Sequence, residues 1–313
     1  MIKSKDSRIR LTIYIIFAFA VLLILVHNFE YAETESIPLP LFQTGEPLEY
    51  EFNLPDSNIC RDIYLNLRAA IALDNDTREV LYCYNADEIR PIASISKLLT
   101  AMVVLDNYMP DSVMTITRAD ARRSSRSIFR VGDRVTVRDL LHSALLQSDN
   151  RAARVLARAV AGSIEEFAEM MNKKARKIGL ENTIMYEPSG LDERNQSTAA
   201  ECAKLINIAM QYPEIARITS LKKYEFKLVN RKRNKRLINT NKMVFSKYKV
   251  LAGKTGYIIE SDYCLATVLQ NGQNEEVTVV VLGSPGPRTR FREARRLANY
   301  AFGKIQRLAQ ANN

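Results

Sequence analysis

The sequence predicts an α+β domain: one antiparallel sheet built from both ends of the chain, with a helical subdomain inserted between. Three observations carry this. Two strand-like runs, Asn66–Asp74 and Glu79–Tyr84, are joined by the turn residues Asp74-Asn75-Asp76 and read as a hairpin. The middle, from Ser94 to about Gln211, is dominated by helix-forming apolar segments. Strand-like runs then return at Lys249–Tyr257, Tyr263–Gln270 and Val277–Leu282, followed by an amphipathic helix from about Arg290 to Arg307. Strands at both ends with helices between imply a single sheet closed by the chain termini, with a cleft between sheet and insertion.

Each element has a local reason. Ser94 follows Pro91-Ile92-Ala93 and leads into Leu98, Leu99, Ala101, Met102, Val103, Val104 and Leu105, an almost wholly apolar run that reads as a buried helix. Val137–Leu146 and Ala152–Ala161 read as two further helices, separated by Ser148-Asp149-Asn150, residue types that favour a helix start. The run Arg231-Lys232-Arg233-Asn234-Lys235-Arg236 lies between Lys223–Val229 and Leu237–Asn239 and reads as a solvated hairpin tip. Cys202 and Cys264 fall in apolar runs and are expected to be buried thiols.

Composition bounds the remainder. The chain has 313 residues, 47% of them apolar, enough for one large or two modest domains with a substantial core. Four scattered cysteines and two histidines make a zinc site improbable, and no cofactor is expected. A Cys60–Cys83 bridge is open to the chain in an oxidising compartment. Lys3, Lys5, Arg8 and Arg10 precede an uncharged run, Leu11 to Val26, and Glu30, Glu33 and Glu35 follow. The charge asymmetry places residues 1–10 in the cytoplasm and the rest outside. Residues 11–27 are expected to anchor the chain in the inner membrane. The alternative, a cleaved signal and a periplasmic product, suffers from Glu30 at the −3 position of the best cleavage point, after Ala32. Residues 28–58, polar and proline-bearing, read as a tether spanning ~30 Å on average and ~100 Å when extended. The globular domain is then 59–307, with a tail at 308–313. The formal charge is +10. Attraction to carboxylate-rich polymer or anionic lipid suits an exported chain better than nucleic acid, which is not expected as a partner.

The chemistry lies in three short stretches: Ser94-Ile95-Ser96-Lys97, Ser148-Asp149-Asn150 and Lys254-Thr255-Gly256. A nucleophilic serine needs a base, and with only His27 and His142 available a Ser-Lys arrangement is far better stocked than a Ser-His-Asp triad. Ser-x-x-Lys recurs at Ser220/Lys223 and Ser246/Lys249, but in polar, basic surroundings that read as surface. Taken alone, Ser148-Asp149-Asn150 is a helix N-cap and Lys254-Thr255-Gly256 a turn in which Gly256 supplies an unusual φ. All three in this order form the signature of serine acyl-enzymes acting on D-alanyl-D-alanine or on β-lactams.

From about Leu67 to Phe302 the chain resembles the low-molecular-weight penicillin-binding proteins, the D-alanyl-D-alanine carboxypeptidase/endopeptidase family. Beyond the three motifs the likeness extends through Pro91–Ser94, Glu187-Pro188-Ser189-Gly190-Leu191, Asn239-Thr240-Asn241-Lys242, Gly253–Tyr257, Tyr263-Cys264-Leu265 and Val281-Leu282-Gly283 with Arg290-Phe291. The family's usual carboxy-terminal β-domain is not expected after the last helix. With Asn150–Ala153 and Gln196–Ala199, this looks closest to the penicillin-binding protein seven type, an endopeptidase of cross-links. The resemblance implies a β-lactamase/transpeptidase-like fold, peptidoglycan stem peptides as substrate and β-lactams as covalent inhibitors. It implies Ser94 as nucleophile, Lys97 as a base kept neutral by burial and by the charge of Lys254, and Ser148 as proton relay to the leaving amine. Asn150 would bond Lys97 or the substrate amide. Backbone N–H groups of Ser94 and Tyr257 would form the oxyanion hole, and Lys254, Thr255 and Arg290 would grip a carboxylate beside an edge kept open by Gly256. Two rivals remain: a class A-like β-lactamase, which would carry an asparagine four residues after Glu187 where this chain has Leu191, and a β-lactam sensor that acylates without turnover.

Overall fold

The computed structural model describes residues 49–55, 63–121, 127–232 and 234–311, all within one compact unit, Glu46–Asn313. The predicted anchor, the cytoplasmic end, most of the tether and Cys60 lie outside the described residues, so the Cys60–Cys83 pairing does too. Among the described residues no helix is long and apolar enough to cross a membrane.

The chain opens with β1 (Ala69–Asp74), β2 (Val80–Tyr84) and a two-residue β3 (Arg90–Pro91). A 3-10 turn, Ala93–Ser96, runs into α1 (Lys97–Asn107), followed by β4 (Val113–Thr115) and β5 (Arg134–Thr136). The helices α2 (Val137–Leu146), α3 (Asn150–Ala161) and α4 (Ile164–Lys177) come next. Then follow β6 (Gln196–Ser197), α5 (Ala199–Met210), α6 (Pro213–Ser220) and the hairpin β7 (Lys223–Lys227) with β8 (Asn234–Ile238). The chain closes with β9 (Lys249–Ile258), β10 (Asp262–Gln270), β11 (Glu276–Ser284) and α7 (Pro287–Ala311).

The main sheet has the order β2-β1-β11-β10-β9, so the first hairpin pairs with the last strand and both chain ends close one layer. Every pairing is antiparallel, with Ala69 opposite Leu282 and Gly256 opposite Cys264. Strand side chains alternate between faces. Val280 and Leu282 pack with the helical insertion, while Val277, Val279 and Val281 pack with Phe291, Leu297 and Phe302 of α7. Because both faces are covered, β11 reads as an unbroken apolar run rather than an alternating one. Cys83, Cys202 and Cys264 are buried in this core.

The predicted layout holds, with four local differences. Ser94 lies in the 3-10 turn rather than the first turn of the α-helix. The helical middle contains the β4–β5 pair, whose three-residue strands are too short to show a period of two. The last helix starts at Pro287, where a proline has no N–H to lose, and runs to Ala311. Residues 49–55, read as tether, pack on the domain. Tyr50 is buried beneath the Arg78 guanidinium at 5.0 Å, and Glu51 pairs with Lys204 at 2.5 Å.

Candidate active site

The three motifs converge although they come from three different elements. Ala93 has φ +46°, a left-handed residue that turns the chain sharply so that Ser94 is presented from a tight turn rather than along a helix flank. Three residues on, Lys97 begins α1 with a fully buried side chain. Its Nζ donates to Ser94 Oγ at 2.8 Å, to Asn150 Oδ1 at 2.7 Å, and to the carbonyl of Ser189. The Ser94 hydroxyl donates in turn to Ser189 O at 3.1 Å. An ammonium has three protons, and all three are used.

Both readings of Ser148-Asp149-Asn150 apply, at different residues. Asp149 is the N-cap of α3: its Oδ1 accepts from the N–H groups of Arg151 (2.9 Å) and Ala152 (3.1 Å), while Oδ2 accepts from Ile128 N at 3.0 Å. Ser148, immediately before it, has φ +60°, and Asn150 opens the helix facing Lys97. The cap therefore fixes the turn that brings Ser148 to Lys254 and Asn150 to Lys97.

Lys254-Thr255-Gly256 sits in the middle of the ten-residue edge strand β9, not in a turn. Lys254 Nζ donates to Ser148 Oγ at 3.0 Å and to Thr255 O at 2.8 Å. Thr255 Oγ1 bonds Thr240 Oγ1 at 2.7 Å. Gly256 is not left-handed. A Cβ there would lie 2.8 Å from Ile92 O and 3.2 Å from Ser94 N, so glycine lets the strand approach the Ser94 turn.

Arg290 reaches under the β9–β10 ladder from the first turn of α7, buried to 7% exposure. It donates to Gly256 O at 2.8 Å and Cys264 O at 2.9 Å, and among the described residues its Nε has no hydrogen-bond partner. Burial lowers its pKa to about 10. Gly256 O and Tyr257 N belong to one peptide plane and point in opposite directions. A carbonyl held toward Arg290 and β10 turns the Tyr257 N–H outward, to the free edge of the sheet. The Tyr257 ring, half-exposed, stacks on Tyr263 at 4.2 Å.

Burial pushes Lys97 down to about 7, against the pull of the Glu187 and Asp149 carboxylates; the Arg154 charge adds to the lowering. Burial and the charges of Lys97 and Arg290 push Lys254 well below the ordinary lysine range. Two ammonium groups in one dry site disfavour each other's protonation. The carboxylates stand on the Lys97 side, so the proton of the free protein rests there.

The 187–191 segment, matched in sequence only by resemblance, supports the Ser94 turn through its backbone. Ser189 O accepts from both Ser94 and Lys97. Gly190, at φ +74°, lies so close to the Ser94 turn that a Cβ would sit 2.1 Å from Ala93 O. Glu187 Oε2 accepts from Ser189 N (2.8 Å) and Oγ (2.5 Å), and Oε1 from Leu191 N (2.7 Å). Both carboxylate oxygens are thus engaged by their own loop, unlike a glutamate free to activate water. The proline and glycine of this loop were visible, but a backbone carbonyl leaves no mark in sequence. His142 takes no part: its Nδ1 bonds Arg138 O at 2.7 Å and its ring stacks on Tyr224 at 3.7 Å. Ser220 and Ser246 hydrogen-bond local carbonyls, at Arg217 and Met243.

The profile of the D-alanyl-D-alanine carboxypeptidase family matches residues 60–286, most of the globular part. The chain belongs to that family. Among curated relatives, a D-alanyl-D-alanine endopeptidase of Pseudomonas aeruginosa is 38% identical over 239 residues, covering 74% of this chain and 76% of the relative. A D-alanyl-D-alanine endopeptidase of Escherichia coli is 34% identical, covering 76% and 78%. Among solved structures, the Streptomyces K15 DD-transpeptidase superposes with a TM-score of 0.73 at 30% identity, covering 77% of this chain and 98% of that one. These findings give this member of the family the penicillin-binding DD-peptidase fold.

Proposed function

We propose that this chain is a serine DD-peptidase of peptidoglycan that works through an acyl-enzyme on Ser94. The observation that carries the reading is the fully buried Lys97 amine, 2.8 Å from Ser94 Oγ, with a pKa lowered to about 7. A neutral Lys97 keeps two N–H donors for Asn150 Oδ1 and Ser189 O and turns its lone pair to Ser94, whose hydroxyl then donates to it. Ser94 Oγ attacks the carbonyl of the penultimate D-alanine as its proton passes to Lys97. The oxyanion is received by the N–H groups of Ser94 and Tyr257, the second aimed by the grip of Arg290 on the preceding carbonyl. Ser148, hydrogen-bonded to Lys254, gives its hydroxyl proton to the leaving amine as the C–N bond breaks and takes in its place the proton that Lys97 received from Ser94, so that Lys97 is neutral again for deacylation. Water then hydrolyses the ester and restores Ser94.

Lys254 and Thr255 are proposed to hold the carboxylate beside the scissile bond, and the free edge of β9 lets an extended stem peptide add as a strand. Both terminal D-alanyl-D-alanine and a D-alanyl-diaminopimelate cross-link present that carboxylate. The relatives in Pseudomonas aeruginosa and Escherichia coli named as endopeptidases favour the cross-link. β-Lactams would acylate the same serine. On hydropathy and flanking charge alone, residues 11–27 are proposed to hold the enzyme at the outer face of the inner membrane, which alkaline extraction of membranes would check.

The test has two arms. Labelled penicillin should attach covalently to the wild type, to Ser220→Ala and to Ser246→Ala, and not to Ser94→Ala. Mass analysis of digested dimeric muropeptides should show cross-link cleavage at a rate at least comparable with release of terminal D-alanine. Release of D-alanine with dimers left intact would make the enzyme a plain carboxypeptidase.

A further inference from the structure

The positive charge of this chain is not spread over its surface. Residues 222–249 carry eleven lysines and arginines against one acid, Glu225, a surplus equal to the formal +10 of all 313 residues. This segment comprises the β7–β8 hairpin and the turn leading into β9, and its basic side chains face solvent: Lys222, Lys223, Lys232, Arg236, Lys242 and Lys247 are all exposed. The fold sets it beside the cleft. Thr240 Oγ1 bonds Thr255 Oγ1 at 2.7 Å and donates to Leu146 O at 3.1 Å, and its N–H donates to the same carbonyl at 2.9 Å. Lys235 donates to Ile128 O at 2.6 Å, and Ile128 N donates to the Asp149 cap. Between the hairpin and the 128–133 loop runs a groove of about 570 Å³ whose lining includes Arg130, Arg231, Lys235 and Arg236. Its one acid, Asp133, is buried and already paired with Arg231 at 2.5 Å, leaving the groove cationic.

Resting on the peptidase reading above, we propose that this basic hairpin and its groove form a second binding surface, for the carboxylate-rich polymer that continues beyond the scissile bond. Peptidoglycan stem peptides carry several free carboxylates, and cross-linking presents many on one strand. A cationic face contiguous with the cleft gathers such a polyanion and prolongs its stay, while a short soluble peptide fills the cleft alone and ignores it. The surface therefore selects polymeric over small substrate. It acts through many weak, screened contacts rather than one deep pocket.

The test uses the full chain, its Ser94→Ala form, and a triple variant, Arg130→Gln with Lys232→Gln and Arg236→Gln, whose side chains lie outside the cleft. The probes are purified sacculi stripped of attached polymers, a soluble D-Ala-D-Ala peptide, and vesicles containing phosphatidylglycerol. Co-sedimentation of the Ser94→Ala protein with sacculi should weaken roughly tenfold when the three charges are removed, the scale of three screened ion pairs, and should lose much of its salt dependence. The half-saturating sacculus concentration of the active enzyme should rise by the same factor, with soluble-peptide turnover and penicillin acylation unchanged. Equal loss on polymer and small peptide, or no change on sacculi, overturns the proposal. So does a variant that loses retention on the vesicles while binding sacculi normally, which would assign the surface to lipid. A wild type that turns over neither substrate counts against the peptidase reading instead, and co-sedimentation still decides the surface.

Discussion

The cleft has two walls, each with a buried lysine, and their differences divide the labour. On the α1 side Lys97 donates to three acceptors and lies near the carboxylates of Glu187 and Asp149. On the β9 side Lys254 has two neutral acceptors, and its charged neighbours are the cations Lys97 and Arg290. In the proposed mechanism one wall holds a proton and releases it near neutrality. The other is short of negative charge, and an arriving carboxylate is what would complete it. Binding would then place positive charge on Lys254 and, by like-charge repulsion, ease the proton off Lys97. The same two walls in reverse roles would leave the nucleophile without a base.

The sharpest break is Lys97→Arg. Guanidinium keeps a charge and donors but cannot release a proton, so penicillin acylation at neutral pH should fall about 10³-fold. Near-wild-type acylation would remove Lys97 from its role. In the wild type, acylation should rise with pH through about 7, where Lys97 becomes neutral.

Stability should show the same wall from another side. Lys97 has a folded pKa of about 7, below the ordinary 10.5 of an unfolded chain. Between those values the unfolded state binds more protons, so this group's contribution to stability is full above pH 10.5 and is lost as pH falls to about 7. Lys97→Met removes that cost. Denaturant melts should find its advantage over wild type smallest above pH 10.5 and growing as pH falls, approaching on the order of 4 kcal/mol below pH 7, less whatever the orphaned acceptors cost. An advantage that is flat with pH would mean that the buried amine is not the titrating group.

The motifs and the strand–helix–strand order were legible because each has a periodicity or a spacing that side-chain chemistry imposes. What escaped was written in backbone. Ser189 acts through its carbonyl, Arg290 through the Gly256 carbonyl, and Ala93 through a left-handed turn, none of which demands a characteristic side chain. Gly256 carries two readings in sequence, close approach and a left-handed turn, and the strand adopts the first. Tyr50 illustrates the converse: one buried ring docks a segment whose prolines and acids read as linker.

Gly190→Ala probes the backbone that sequence could not show. Its φ of +74° and a Cβ 2.1 Å from Ala93 O force the 187–191 loop away from the Ser94 turn. We expect about 3 kcal/mol of destabilisation and slower acylation together. Arg290→Ala should cost less stability but lower the acylation rate by about 1.5–3 kcal/mol in barrier, because the Gly256–Tyr257 peptide loses its charged hydrogen bond. An effect on substrate affinity alone would instead make Arg290 a pure carboxylate grip.

The smallest effects test the asymmetry most directly, because they have opposite signs. Lys254→Met takes a like charge from Lys97, so the acidic limb of the acylation profile should move up, by less than a unit because that charge is largely absent from the free protein. Asp149→Asn takes away a favourable carboxylate, so the limb should move down by a fraction of a unit. It should also cost about 1 kcal/mol of stability, since an amide in place of Oδ2 cannot accept from Ile128 N. Both are read from penicillin acylation rates between pH 5 and 9. Shifts of the same sign in both variants would show that the proton is not held on the α1 wall. The carboxylate at Lys254 would then bind without arming the base.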